Sequence, residues 1–294
     1  MYRSVNMSKN KFLSEFDKDY NRKSAYKKFA SLKSDLEKMG SAAVAFSGGV
    51  DSTFLLKTAS EVLRDSVIAV TLKSPSFPQR ELNKAIDLAK MFKVKHIIVE
   101  GNELDNPDFI KNDKLRCYFC KKEEFSKIIS IAKKNNLAFI IDGQNFDDLQ
   151  DYRPGSDAVN ELGVVSPLKN SGLSKKEIRF LSKEMGIPGW DRPPFACLAS
   201  RIPYGIKITE NLLEKIDYLE NYLINLGFSQ VRVRHHKEIA RIEIQVKDFP
   251  NHFEEKLMQK IISEFKRSGY LYVTVDLEGY RSGSMNKLLK TKRN

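Results

Sequence analysis

Between residues 24 and 142 short apolar runs alternate with amphipathic stretches. Ala42–Phe46, Val67–Leu72, Lys95–Val99 and Ala138–Asp142 read as strands; Tyr26–Met39, Ser52–Leu63, Gln79–Phe92 and Lys121–Asn135 read as helices. Strands of this kind separated by helices predict a parallel α/β sheet. Ligands of such sheets bind beyond the carboxyl ends of the strands. Ser47-Gly48-Gly49 and Asp142-Gly143-Gln144-Asn145 each follow a strand, so both are expected on one rim. Residues 143–173 lack periodicity and are rich in Asp, Gly and Pro, a length of irregular chain that usually serves function. A helix over Ser174–Met185 opens on a capping box, Ser174 with Glu177 three residues on, and Gly186 and Pro188 stop it.

A second irregular stretch, 187–207, holds the only Trp and the third Cys. Beyond it Leu212, Ile216, Leu219, Leu223 and Leu226 recur at helical spacing up to Gly227. Strands follow at Val231–His235 and Ile239–Val246; in the second, Ile242, Ile244 and Val246 alternate with Arg241, Glu243 and Gln245. A helix over Asn251–Arg267 and a strand over Tyr270–Val275 complete an αββαβ unit. The expected organisation is an N-terminal extension at 1–23, a parallel-sheet α/β domain at 24–200 and a small α+β domain at 201–294.

Composition narrows the class. The chain has 294 residues, 41% hydrophobic and 30% charged, as globular proteins do. It has no apolar run of about 18 residues, and Met1–Asn6 lacks the apolar core of a signal peptide; a cytoplasmic location and no membrane partner are expected. The net charge of +12 invites a nucleic-acid reading. The lysines are spread widely, however, with no interleaved aromatic stripe. A lysine-rich solvated surface is the plainer account, nucleic acid is not the expected partner, and a positive cleft suits a phosphate-rich substrate.

The strongest local signal is Ser47-Gly48-Gly49-Val50-Asp51-Ser52. Two glycines let the backbone turn sharply and approach a ligand. The helix start that follows presents free N–H groups and about half a positive charge, an anion site. Ser47 and Ser52 add hydroxyls. Asp51 repels phosphate unless a cation such as Mg²⁺ bridges them. A Walker A loop would need a lysine here, and none is present. The segment instead resembles the PP-loop of ATP pyrophosphatases, whose fold is the adenine nucleotide alpha hydrolase-like α/β domain and which cleave ATP between the α and β phosphates.

Cys117, Cys120 and Cys197 are the only cysteines. An odd count outside a disulfide framework points to metal or catalysis. Three thiolates could hold three irons of a [4Fe–4S] cluster and leave the fourth iron open. With a histidine they could hold zinc, although His96, His235, His236 and His252 do not stand at zinc spacing. A CxxC pair is also a redox motif, and plain burial is the remaining alternative. Cys197 is preceded by Arg192 and followed by Ser200 and Arg201; the two guanidinium groups would favour its thiolate.

Several segments together resemble the LarE family of ATP-dependent sulfur transferases in nickel-pincer cofactor synthesis. They are Ser47–Ser52, Arg116–Lys121, Asn145–Gly155, Ser166–Leu168, Trp190–Pro193, Ala196–Gly205, Arg232–His236 and Asp276–Arg281, within about residues 24–285. Gln144 departs from the family pattern, where a threonine is expected. The resemblance implies that ATP adenylylates a carboxylate of pyridinium-3,5-dicarboxylate mononucleotide and that sulfur replaces AMP to give a thiocarboxylate. Members with one cysteine sacrifice the one matching Cys197; members with three bind a [4Fe–4S] cluster carrying a transferable sulfide. This chain falls with the second group, Cys117, Cys120 and Cys197 being ligands. The implied catalytic set is Cys197, Ser200 and Arg201. Ser47, Gly48, Gly49, Asp51, Ser52, Asn145, Asp148 and Asp151 face ATP and Mg²⁺. Arg232 and Arg234, on one strand face, join Arg201 as clamps for phosphate or carboxylate; Asp147, Asp148 and Asp151 could equally serve turns and caps. A sulfur donor and a homo-oligomer are carried over with the family. A PP-loop tRNA thiolase is the competing enzyme, with amide-forming synthetases behind it. A binding protein with an idle phosphate turn is the non-catalytic alternative.

Overall fold

The computed structural model describes residues 22–150, 154–246 and 254–281. The expected extension at 1–23 lies almost wholly outside these residues, as do Asp151, the start of the helix expected from Asn251 and the basic tail Lys287–Arg293. The chain divides into two compact units, each assembled from separate stretches of sequence. The first takes the described part of Met1–Thr71 together with Asn83–Val99 and Phe125–Arg192; the second takes Leu72–Leu82, Glu100–Glu124 and the described part of Pro193–Asn294.

In chain order the main elements begin α1 (Arg22–Met39), β1 (Ala42–Ala45), α2 (Val50–Leu63), β2 (Val67–Lys73), α3 (Gln79–Met91) and β3 (Lys95–Glu100). Then come α4 (Arg116–Lys134), β4 (Phe139–Ile141), α5 (Pro154–Glu161) and α6 (Lys175–Glu184). The four-stranded sheet has the order β3-β2-β1-β4, with β1 parallel to both its neighbours. The central strand is Ala42-Ala43-Val44-Ala45, buried throughout. Successive side chains of a strand point to opposite faces. Accordingly Ala42 and Val44 join an apolar cluster with Phe54, Leu55, Leu56, Leu32 and Leu36, whereas Ala43 and Ala45 join another with Ile68, Val70, Phe125 and Ile128. A strand covered on both faces must be apolar at every position, which is why β1 does not alternate. The irregular stretch 143–173 contains more helix than its sequence announces: α5 and a single turn at Pro167–Asn170.

The second unit carries α7 (Glu210–Asn225), β5 (Val231–His236), β6 (Ile239–Ile244), α8 (Glu255–Arg267) and β7 (Tyr272–Val275). Its sheet runs β5-β6-β7, the first pair antiparallel and the second parallel. Leu213, Ile216, Leu219 and Leu223 of α7 pack with Val231, Val233, Ile242, Ile244 and Phe265 into one core, which Leu198, Ala199 and Ile202 of the cysteine-bearing loop also enter.

Candidate functional site

The glycine turn lies in the first unit, between β1 and α2. Gly48 has φ +69°, and a Cβ there would stand 3.2 Å from Ala85. Glycine is thus required both by the left-handed backbone and by the packing behind it. The turn is tied to itself: the Ser47 and Ser52 hydroxyls are 3.1 Å apart, and Ser52 Oγ donates to the Gly49 carbonyl at 3.2 Å. Gly49 is the N-cap residue of α2 and supplies no side-chain cap. The first-turn N–H groups therefore keep their anion-binding character. Gly143, after β4, comes so near that a Cβ would meet the Ser52 nitrogen at 2.9 Å. The two strand-end segments expected on one rim do meet.

Asp51 points into this junction. Its Oδ2 accepts from Asn145 Nδ2 at 3.2 Å and lies 3.3 Å from Lys175 Nζ. Its Oδ1 is buried and has no hydrogen-bond partner among the described residues. Burial raises the Asp51 carboxyl above its usual range and the Asp148 charge adds to this; Lys175 and Asn145 oppose without cancelling it. A buried carboxylate with one unsatisfied oxygen is a natural site for a divalent cation, and these residues fit Mg²⁺. Arg179, one turn beyond Lys175 on α6, also feels Asp51; burial lowers its pKa, and its guanidinium donates to the Trp190 and Arg192 carbonyls at 2.8 and 2.5 Å. Lys175 and Arg179 are absent from the residues expected from sequence. The signal was available: the capping box at Ser174 and Glu177, both halves of which are present, fixes Lys175 as the first residue of the helix.

The acidic run after Asn145 is used locally. Asp148 Oδ2 accepts from the Asn145 amide at 3.0 Å, Asn145 Oδ1 from the Asp147 amide at 3.0 Å, and Asp147 Oδ2 from the Lys175 amide at 2.8 Å. These are turn and cap acceptors. They position Asn145 and Lys175 on either side of Asp51 Oδ2.

All three cysteines belong to the second unit and are free and half-buried. Cys117 and Cys120 lie in the first turns of α4; Cys197 is the N-cap of a short turn, Leu198–Arg201. Arg116 joins the two segments. Its Nη1 donates to Asn112 Oδ1 at 2.7 Å and to the Ala199 carbonyl at 2.9 Å, and its Nη2 is 3.9 Å from Cys117 Sγ. Its guanidinium lies over the Tyr204 ring. Burial disfavours the Arg116 charge, but the sulfurs of Cys197 and Cys117 more than offset this and hold it above its usual range. Asn112, wholly buried, in turn donates to the carbonyls of Pro203 and Ile206 at 2.9 and 2.8 Å. Cys120 and Cys197 border the same apolar core. Burial first, then the Glu124 charge, push the Cys120 thiol well up.

Among the described residues no group of three or more His, Cys, Asp or Glu side chains could hold a metal ion as the side chains stand. A [4Fe–4S] cluster makes a different demand, since each thiolate binds a separate iron. Two thiols, Cys117 and Cys197, feel one guanidinium, and Cys120 joins Cys197 at the margin of an apolar core; three thiols from two segments suit that donor set.

The arginines correct one expectation. Arg201 is not an open clamp: its side chain is 0% exposed and turned inward. It forms a bidentate pair with Glu220, and its Nη1 donates to the carbonyls of Ala196 and Cys197 and to Ser200 Oγ. Burial works to raise the Glu220 carboxyl, yet Arg201, with Arg232 and Arg80, draws it down to about 2. Ser200 Oγ is engaged too, donating to the Cys197 carbonyl at 2.8 Å. Arg232 and Arg234 do share one face of β5, but both are buried beneath the cysteine loop: Arg232 donates to the Pro194 carbonyl and Arg234 to that of Ser200, each at 3.0 Å. Burial, joined by the Arg201 charge, lowers the Arg232 pKa to about 10. Together these three cations hold the backbone that carries Cys197.

Comparison with known proteins adds ancestry to this geometry. A protein-family model described as NAD synthase matches residues 25–111, which include the glycine turn. An uncharacterized protein of Synechocystis sp. is 40% identical over 262 residues, 89% of this chain and 98% of that protein. The pyridinium-3,5-bisthiocarboxylic acid mononucleotide synthase of Lactiplantibacillus plantarum is 39% identical over 269 residues, 89% of this chain and 95% of that protein. A glutamine-hydrolyzing GMP synthase component of Thermoplasma volcanium is more distant, 26% identical over 61% of each chain.

Proposed function

The chain belongs to the family of pyridinium-3,5-bisthiocarboxylic acid mononucleotide synthase, the LarE family, and from that premise we propose that it is an ATP-dependent sulfur transferase that converts a carboxylate of pyridinium-3,5-dicarboxylate mononucleotide into a thiocarboxylate. The observation that carries this reading is the buried Asp51, one oxygen unsatisfied by any described residue, in the first turn of a helix that follows a double-glycine turn.

In the first step a substrate carboxylate oxygen attacks the α phosphorus of ATP. The bond from that phosphorus to the bridging oxygen of pyrophosphate breaks, pyrophosphate leaves and an acyl adenylate remains. The amides of the turn and first helical turn neutralise charge that accumulates on the leaving group; Asp51 would hold a Mg²⁺, which would supply further charge neutralisation when bound. Asn145 holds the Asp51 carboxylate in place through Oδ2. In the second step a sulfur nucleophile attacks the acyl carbon and AMP departs. Cys117, Cys120 and Cys197 would hold a [4Fe–4S] cluster, which supplies a transferable sulfide when bound. The chain's own contribution is electrostatic and positional: Arg116 and Arg201 bring positive charge to the thiols, and Arg201, Arg232 and Arg234 fix the loop of Cys197. That concentration of guanidinium groups also suits an anionic mononucleotide.

No described helix is long and apolar enough to cross a membrane. Three free thiols suit the cytoplasm. A dedicated sulfur donor and a homo-oligomeric assembly belong to the same reading, the first checked by reloading with labelled sulfide and the second by light scattering.

The decisive experiment is anaerobic purification with iron and sulfide analysis beside Cys117→Ala. About four irons per chain, lost in the variant, support the cluster. Iron-free protein that turns over once, its mass falling by one H₂S, would instead make Cys197 the sacrificed sulfur source. Adenylylation of a tRNA in place of the mononucleotide would transfer the chain to the thiolase class.

A further inference from the structure

The two oxygens of Asp51 have different surroundings. Oδ2 is shared by Asn145 and the ammonium of Lys175, while Oδ1 is buried without a partner among the described residues. The Lys175 side chain is 36% exposed and its nitrogen is 3.3 Å from the carboxylate, so the pair is partly solvated and easily parted. Parting it would not disturb the helix, because the Lys175 amide is held separately by Asp147 Oδ2 at 2.8 Å and the helix start by its capping box. Arg179 has no such freedom, its guanidinium being spent on the Trp190 and Arg192 carbonyls. Helix α6 thus presents one cation that is mobile on a long stem and one that is fixed, both acting on the carboxylate where a divalent cation is expected.

We propose that Lys175 is the resident counter-ion of Asp51, that the divalent cation arriving with ATP displaces it, and that the released ammonium then binds the departing pyrophosphate. The inference rests on the ATP reading given above. Charge balances at each stage: Lys175 leaves Asp51 as the metal arrives, and moves onto the phosphate oxygens that the metal alone leaves negative. A flexible ammonium is suited to such an exchange because it binds as a compact point charge with rotatable donors. The exchange also requires that Lys175 and the metal oppose one another at Asp51 and cooperate on pyrophosphate.

That requirement gives two changes of opposite sign in one variant, Lys175→Met, which retains helix propensity. Mn²⁺, the paramagnetic stand-in for Mg²⁺, is titrated without nucleotide by electron paramagnetic resonance; inorganic pyrophosphate is titrated in saturating Mn²⁺ by calorimetry. The variant should bind Mn²⁺ about fivefold more tightly, equivalent to about 1 kcal/mol, and pyrophosphate at least about tenfold more weakly, as expected for loss of one charge-assisted contact. Asp51→Asn should lose the Mn²⁺ site. Unchanged or weaker Mn²⁺ binding by Lys175→Met overturns the exchange, as does unchanged pyrophosphate affinity. Wild-type protein that binds neither Mn²⁺ with ATP nor pyrophosphate overturns the ATP reading as well, which separates the two failures.

Discussion

Arg201 and Glu220 are joined by two parallel hydrogen bonds, Nε to Oε1 at 2.8 Å and Nη2 to Oε2 at 3.0 Å, with neither side chain exposed. Breaking a buried pair by removing one charge costs about 3–5 kcal/mol, because the other charge is left uncompensated. Glu220→Gln should therefore lower stability by about 3 kcal/mol or more in denaturant unfolding. Arg201 also holds the Ala196 and Cys197 carbonyls, so alkylation of Cys197 should accelerate in the same variant while the protein remains folded.

The same pair sets a pH dependence. The Glu220 carboxyl is drawn from 4.5 to about 2 in the folded chain. A depressed acid contributes stability that is present in full above its unfolded pKa and disappears as pH falls through the folded one. The stability gap between wild type and Glu220→Gln should accordingly narrow between about pH 4.5 and pH 2, by on the order of 3 kcal/mol. A gap that stays constant across that window would mean the carboxylate is not held as described.

Asn112 is buried with φ +56° and ties its amide to the Pro203 and Ile206 carbonyls and its Oδ1 to Arg116. Asn112→Ala leaves these groups unsatisfied, at about 1–3 kcal/mol for each that stays dry. It should lower the unfolding midpoint and, more specifically, reduce cross-linking of Cys117 or Cys120 to Cys197 by a short bifunctional thiol reagent.

Gly48→Ala should cost about 1–2 kcal/mol, since φ +69° is strained for an L side chain and the new methyl meets Ala85. Gly143→Ala pushes instead against the Ser52 nitrogen. The expected signature of Gly143→Ala is weaker ATP binding, measured by calorimetry, beside a loss of stability, because the atom in the way is helix backbone that must shift.

The sheet and the glycine turn were legible because their determinants are local. An uninterrupted apolar run at Ala42–Phe46 needs two covering layers, and two glycines before a helical pattern need a turn. The capping box at Ser174 was legible for the same reason. Its consequence was not: that Lys175 reaches Asp51 depends on where α6 is laid against α2, which no spacing encodes. The arginines show the converse. Period-2 alternation correctly placed Arg232 and Arg234 on one face of β5, but that face is roofed by residues 194–200, so they address carbonyls rather than solvent. Arg201 looked available beside a cysteine and is committed to Glu220, nineteen residues further along the chain.

The hub at Asn112 reaches the Ile202, Pro203 and Ile206 carbonyls across about ninety residues of chain. Closing so long a loop is entropically demanding, and its contacts repay nothing until both ends have met. During synthesis Cys117 and Cys120 leave the ribosome well before Cys197 exists to join them. The trio is therefore a late product of folding, and a nascent chain carries an ordinary, oxidisable CxxC pair until synthesis has passed Cys197, two-thirds of the way along the chain. Assembly of any cofactor on all three thiols is thereby timed by the synthesis of Cys197, and an oxidised Cys117–Cys120 pair would be the characteristic lesion of a chain that stalled before that point.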